Sequence, residues 1–368
     1  MTAQLGRVVP FNVLAPGVQT IRSELDAAIA RVLTRGYFLM GPELKAFEEQ
    51  FAAYHGDAFH TVGVASGTDA LRIGLLALGI EPGDEVLIVA NAGVPPVAAL
   101  VAASARPVFC DVDPATHTLD PEEIERKVTQ RTRAVVVVHL YGHPAPMRPI
   151  MECARVHGLK VLEDCAQAHG ARSAGRIVGT FGDAAAFSFY PTKNLGALGD
   201  AGALLTADPR VADQARLLRM YGWRQRYVSE LHSTVSRLDE LQAALLSAKL
   251  AHLDEWNAVR RRLASRYRAR LQDVVQLPPD DGVFHLFVVR SPERDALKVY
   301  LADRGIGTDV HYPLPVHLQA PYAEYGDGPG SLPATEHLAG EILSLPIYPE
   351  LAADDVDYVC QIMRTYGA

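Results

Sequence analysis

A single lysine, Lys193, stands in the stretch AFSFYPTKNLGALGDAGALL (186–205). Phe187, Phe189 and Tyr190 precede it, Gly196, Gly199 and Gly202 follow it, and no second cation is near. Residues of these types pack closely. An amine confined among them loses its water, its pKa falls, and it becomes a nucleophile toward carbonyls. An exposed loop lysine is the competing account. Two other stretches hold groups that such an amine needs beside it. Asp164 closes the apolar run GLKVLED (158–164). Open α/β sheets bind ligands at the carboxyl ends of their strands, although an Asp there also serves as a plain turn or helix cap. Ser66, Gly67 and Thr68 lead into the helical run DALRIGLLALG. A turn of this kind points backbone N–H groups and a helix dipole at a phosphate, and a simple N-cap accounts for the same residues equally well.

Taken together, the three stretches supply what pyridoxal 5′-phosphate (PLP) requires of a protein. These are a Schiff-base lysine, a carboxylate for the pyridine nitrogen and an anion site for the phosphate. Ser188 adds a hydroxyl beside the phosphate site. The histidines show no metal-like spacing, and no metal is expected.

Such a set needs a rigid α/β scaffold. Strand candidates are EVLIVA (85–90), PVFCDV (107–112), RAVVVVHL (133–140), GLKVLED (158–164), AAAFSF (184–189) and AGALLT (201–206). The helical runs TDALRIGLLALG, PPVAALVAASA, PEEIERKV and MRPIMECARVHG fall between or before them. This alternation predicts a mainly parallel sheet covered on both faces. Helices are also predicted over 20–35, ending at Gly36, and over 42–56, with Pro42 at the start and Gly56 past the end. Residues 236–271 read as one long helix with at most one break, leading into a smaller α+β domain that holds the strand FHLFVVR (284–290). The boundary is placed at 250, giving a large domain over 1–250 and a small one over 251–368.

The chain has 368 residues and a formal net charge of −8, which argues against a nucleic-acid or anionic-membrane binder. Its four cysteines form no CxxC unit, and its N-terminus shows no secretory pattern, so a reducing cytoplasm is expected. The run AVVVVHL is far too short to span a bilayer.

SGTDAL, EDCAQAHGA, AFSFYPTKNLGALGDAG and SRLDELQAA, in this order, resemble the DegT/StrS family of PLP-dependent sugar aminotransferases. The resemblance runs from GYFLMGPELKAFEEQFAAYHG to SLPIYPEL. It implies the aspartate-aminotransferase fold, with a seven-stranded type of sheet. It also implies a homodimer with shared active sites, L-glutamate as amino donor and a nucleotide sugar as acceptor, in ping-pong chemistry through PLP and its pyridoxamine form. By resemblance, Lys193 is the Schiff-base lysine and proton carrier, and Asp164 the partner of the pyridine nitrogen. Gln167 lies near the ring's 3-hydroxyl, and Gly67, Thr68 and Ser188 contact the phosphate. LGALGDAG after the lysine and YGWRQRYVSE (221–230) resemble the 3-aminotransferases of deoxysugar pathways, so a dTDP-3-keto-6-deoxyhexose is the expected acceptor. A 4-keto-6-deoxyhexose and a UDP-3-keto sugar acid are the alternatives. The sugar dehydratases of the family carry His in place of the lysine, which sets them aside. Tyr190, Arg224, Arg226, Tyr312 and His317 are the candidate substrate contacts.

Two departures stand out. NAGVPPVA puts Gly93 where the family carries an aromatic that stacks on the cofactor ring, leaving Val94, Pro95 or an aromatic from elsewhere to cover it. STVSRLDE puts Val235 where the family carries an Asn offered to the phosphate from the neighbouring subunit, and Val235 cannot donate a hydrogen bond. Ser236 or Arg237 is expected to compensate. The same departures motivate a competing class, a non-catalytic regulator that keeps the fold.

Overall fold

A computed structural model describes residues 7–366. Seven strands make one sheet: β1 (His60–Val64), β2 (Glu85–Val89), β3 (Arg106–Cys110), β4 (Thr132–Val138), β5 (Lys160–Asp164), β6 (Ala184–Ser188) and β7 (Gly202–Thr206). Their order across the sheet is β1-β7-β6-β5-β4-β2-β3. β7 is antiparallel to both of its neighbours, and the remaining pairs are parallel. The strands are runs of Val, Leu, Ile and Ala buried on both faces, as a parallel sheet covered by helices demands. Six of the seven lie on expected runs, and β1 is an addition. The mixed α/β architecture is the one anticipated.

Helices Gly67–Ala77, Val94–Ala102, Pro121–Lys127 and Met147–His157 alternate with the strands. Helices Arg22–Arg35 and Pro42–His55 match the expected ones, the first ending at a left-handed Gly36. The long helix does not begin at 236. Residues before Glu240 are extended, and the helical stretch is two helices, Glu240–Leu250 and Leu253–Leu271, interrupted at Ala251 and His252. Glu240, the first residue of the helix, is held to another element. Its carboxylate accepts the N–H groups of Gly41 at 2.8 Å and of Glu43 and Leu44 at 2.9 Å, so it caps the helix at Pro42.

A second core is built from Tyr267, Phe284, Phe287, Leu297, Leu343 and Val359, and takes Val9 from the other end of the chain. Its antiparallel pair is Phe287–Arg290 with Ile342–Leu345. That strand starts three residues later than FHLFVVR suggests, because Phe284 takes a left-handed φ of 47°. Among the described residues, no helix is long and apolar enough to cross a membrane.

One buried acid ties the sheet to its loops. Glu163 is 0% exposed and accepts the N–H groups of Gly179, Phe181 and Gly182, each at 2.7 Å, while facing His139 Nε2 at 3.0 Å. Burial alone would push its pKa up, but the bonds from His139, Gly182 and Gly179 hold it below the usual carboxylate range. An acid with a depressed folded pKa contributes stability above its unfolded pKa and loses it as pH falls through the folded value. Glu163→Gln turns an acceptor into a donor that faces N–H groups, and lowers Tm by roughly 5 °C or more at neutral pH. Thermal melts from pH 7 downward check this: the gap between wild type and variant narrows toward acid.

Candidate active site

The sheet order brings four chain segments to one edge. Asp164 ends β5 and pairs with Val138 of β4 and Ala186 of β6. Ser188 ends β6 opposite Gly202 of β7, and Gly202 lies across from Val64 of β1, just before the turn at Ser66. The antiparallel β7 thus brings the end of the lysine loop back beside the phosphate turn. A Cβ on Gly202 would run into the carbonyl of Ser66, and one on Gly67 would lie 2.5 Å from Cβ of Ser188. Backbone is pressed against backbone here, and only glycine permits it.

The segments enclose a cavity of about 360 Å³. Ser66, Gly67, Thr68, Asp164, Gln167, Ser188, Tyr190, Lys193 and Tyr312 line it. Ser66 Oγ accepts the Asp69 N–H at 3.1 Å and caps the helix that follows, so the cap and the anion turn are one structure. The lysine loop is pinned from behind. Asn194 Nδ2 donates to Asn257 Oδ1 at 2.8 Å and to the Val283 carbonyl at 3.1 Å. Leu198 N–H donates to Gln242 Oε1 at 2.9 Å, and Lys249 Nζ donates to the Gly196 carbonyl.

The electrostatics follow from this enclosure. One side of Lys193 opens on the cavity, but its surroundings are otherwise protein, and burial pushes the amine down to about 8; Asp164 opposes the shift. Burial pushes the Asp164 carboxyl up, while the Ala166 N–H at 3.0 Å and Lys193 pull it back. Its ionisation therefore responds to cations within the cavity. His285, buried at the cavity wall, is pushed well below its usual value by burial and by Lys193, so it is neutral.

Some expected residues stand elsewhere. Ser236 does not reach the cavity: its hydroxyl donates to Asp69 Oδ2 at 2.9 Å and accepts the Ala65 N–H at 3.0 Å, so it props the phosphate turn from behind. Arg224 and Arg226 lie on an exposed hairpin outside the cavity. Arg224 meets Asp213 and Glu230, both at 3.0 Å, and Arg226 sits 4.8 Å over the Tyr227 ring. His317 is buried, with Nε2 3.1 Å from Glu336 and its ring against Phe109, and forms no part of the cavity. Gly93 lies beneath the Tyr312 ring; of its neighbours, Pro95 and Pro96 face the cavity and Val94 does not. Thr192, Asp200, His285 and His311 line the cavity without having been singled out. Thr192 and Asp200 stand within the lysine stretch itself, His311 directly precedes Tyr312, and His285 sits in a run that reads as strand interior.

A buried amine, a strand-end carboxylate and a glycine-lined helix N-terminus share this one cavity. The model of the DegT/DnrJ/EryC1/StrS aminotransferase family matches residues 19–364. The chain belongs to this family. It is 50% identical over 365 residues to a Streptomyces venezuelae protein named dTDP-3-amino-3,4,6-trideoxy-alpha-D-glucose transaminase, covering 98% of this chain and 96% of that one. It is 49% identical over 362 residues to the Saccharopolyspora erythraea erythromycin biosynthesis sensory transduction protein EryC1, covering 97% and 99%. Among solved structures, S. venezuelae DesV in complex with a ketimine intermediate superimposes with a TM-score of 0.95 at 49% identity, covering 98% of both chains.

The cofactor of this aminotransferase family is PLP, and the residues present fit it. Lys193 offers an amine that is partly neutral near neutral pH, and Asp164 a carboxylate for the ring nitrogen. The turn at Ser66–Thr68, with the Ser188 hydroxyl, offers phosphate donors in a cradle that a Cβ at Gly67 or Gly202 would fill. Only the neutral amine attacks an aldehyde, so PLP capture by the cofactor-free protein depends on pH. The rate rises about tenfold per unit below pH 8 and levels off above it. Stopped-flow absorbance of PLP mixed with the protein from pH 6 to 9.5 checks this; a break near the ordinary lysine value would mean that Lys193 is solvated.

Proposed function

We propose that this chain moves an amino group from L-glutamate to a dTDP-linked 3-keto-6-deoxyhexose and so makes a 3-amino sugar. The observation that carries the reading is the convergence of Lys193, Asp164 and the Ser66–Thr68 turn on one cavity. The chain is a PLP-dependent nucleotide-sugar aminotransferase, and the name of the Streptomyces venezuelae relative supports a dTDP sugar aminated at C3. L-Glutamate is the donor that the family resemblance implies.

When bound, PLP supplies an aldehyde carbon that carries the amino group and a ring that takes up electrons. The chain's residues do the rest. N–H groups of the Ser66–Thr68 turn and the Ser188 hydroxyl hold the phosphate, with the helix dipole behind them. Asp164 keeps a proton on the pyridine nitrogen. Lys193 Nζ takes a proton from the donor's α-carbon and, in the second half-reaction, delivers one to the sugar carbon that receives nitrogen. An amine with a pKa of about 8 suits both directions.

A homodimer in the cytoplasm completes the reading. Tyr37, Phe38, Leu39 and Met40 form a contiguous exposed apolar run that a second copy would cover, and all four cysteines are free and buried, which suits a reducing compartment. Sedimentation at twice the chain's mass is the expected result.

The competing reading is a regulator without catalysis. The name of the Saccharopolyspora erythraea relative favours it, and the presence of Lys193 and Asp164 in one cavity opposes it. The experiment offers 3-keto and 4-keto dTDP sugars and a UDP-3-keto sugar separately, each with L-glutamate. The expected result is amination of the 3-keto dTDP sugar, with Lys193→Ala slower by at least about a thousandfold. Activity with the 4-keto compound alone would sink the acceptor assignment. A cofactor that stays bound while no keto sugar turns over would support the regulator.

A further inference from the structure

Gly93 and Tyr312 come from distant parts of the chain and share one space. Gly93 starts helix Val94–Ala102 with φ 81°, and a Cβ built there would lie 3.0 Å from both Cε2 and Cζ of Tyr312 and 3.2 Å from Cε1. The phenol ring therefore rests on the Gly93 backbone. Two further ties fix its position. Gln167 Nε2 donates to the Tyr312 hydroxyl at 3.3 Å, and Gln167 Oε1 in turn accepts the Tyr141 N–H at 2.7 Å. The Tyr141 hydroxyl donates to the His311 carbonyl, and His311 Nδ1 pairs with Ser344 Oγ at 2.9 Å. The ring is thus held through its own hydroxyl and through the backbone before it, on the wall of the cavity that contains Asp164 and Lys193.

We propose that Tyr312 is the aromatic wall of the cofactor site, a positioning residue that covers the pyridine ring, and that the glycine at 93, which its φ of 81° already requires, leaves the space that Tyr312 occupies. A flat heteroaromatic ring gains most from an aromatic face with few ways to move. Tyr312 provides that face, while Pro95 and Pro96 supply only aliphatic edges from the 91–96 segment. Burial raises the pKa of the phenol, against the pull of the Gln167 N–H, so the hydroxyl stays neutral. The proposal rests on the aminotransferase reading of the site and is independent of which sugar accepts the amine.

The test titrates PLP into cofactor-free wild type, Tyr312→Phe, Tyr312→Leu and Gly93→Ala, and follows absorbance and the visible circular dichroism of the bound cofactor. Tyr312→Leu is expected to weaken PLP binding about tenfold and to shrink the dichroic band, whereas Tyr312→Phe stays within about threefold of wild type. Gly93→Ala crowds the ring and strains the backbone at φ 81°, and weakens PLP in the same direction. Melting of the cofactor-free proteins separates a folding defect from a lost contact, and Tyr312→Phe, which keeps the packing, stands if the leucine variant melts early. Unchanged PLP affinity in Tyr312→Leu, with only the KM for the keto sugar raised, would overturn the proposal and make Tyr312 a sugar contact. A wild type that binds PLP yet aminates no sugar would instead sink the proposed function, and would leave the comparison of PLP affinities intact.

Discussion

An amine reacts near neutral pH where its surroundings lower its pKa, and the packing at the carboxyl end of the large sheet does this for Lys193. Lys193 sits on a loop that cannot sag into solvent, because Asn194, Gly196 and Leu198 are tied to side chains of the two helices behind it. Those helices meet at the break at Ala251 and His252, which lets one hold the near end of the loop and the other its far end. The return of the chain through the antiparallel β7 closes the loop against the Ser66 turn, with glycine at the contact. Desolvation of the amine and formation of the phosphate cradle are therefore consequences of one packing arrangement.

The adjacent acids Glu163 and Asp164 show how a strand divides labour. Successive side chains of a strand point to opposite faces. Glu163 turns into the protein, where backbone N–H groups and His139 saturate it. Asp164 turns toward the cavity and takes a single N–H from Ala166. Saturation depresses the first acid, and burial with few partners raises the second. The same residue class serves as a fixed structural anion in one place and as a responsive one in the next.

What the sequence made legible follows the range of the interactions concerned. Most of the strands from β2 to β7 are dominated by Val, Leu, Ile and Ala, and local pattern reveals them. β1 escaped because HTVGV opens on the polar His60 and Thr61 and carries Gly63, which leaves only two valines to mark it. Lys193, Asp164, Gln167, Ser188 and the Ser66–Thr68 turn were legible because each stands in a local motif at a strand or helix end. The residues that lie outside this chain's cavity have charges or hydroxyls that are satisfied over a distance no local pattern encodes. Arg224 reads as a free cation until Asp213, on a neighbouring helix, and Glu230, across the hairpin, meet it. His317 reads as a ligand until Glu336 and Phe109 enclose it. Ser236 reads as a phosphate donor until Asp69, 167 positions away, accepts its hydrogen bond.

The two sides of the cavity are constrained by different physics, and this bears on how such a fold changes substrate. On the Lys193 and Ser66 side, backbone touches backbone at glycines, so almost any added atom collides. On the 285–312 side, the contacts are side-chain hydrogen bonds: His285 with Asn194 at 3.3 Å, and Tyr312 with Gln167 at 3.3 Å. Single bonds of this length contribute about 1 kcal/mol each, so exchanging one such partner disturbs the fold little. Chemistry common to every substrate belongs to the first side and to the Tyr312 wall, and the mouth, where Tyr190 stands 52% exposed, is left for discriminating among acceptors. The cavity can thus be recast for a new acceptor without disturbing the packing that keeps the amine dry.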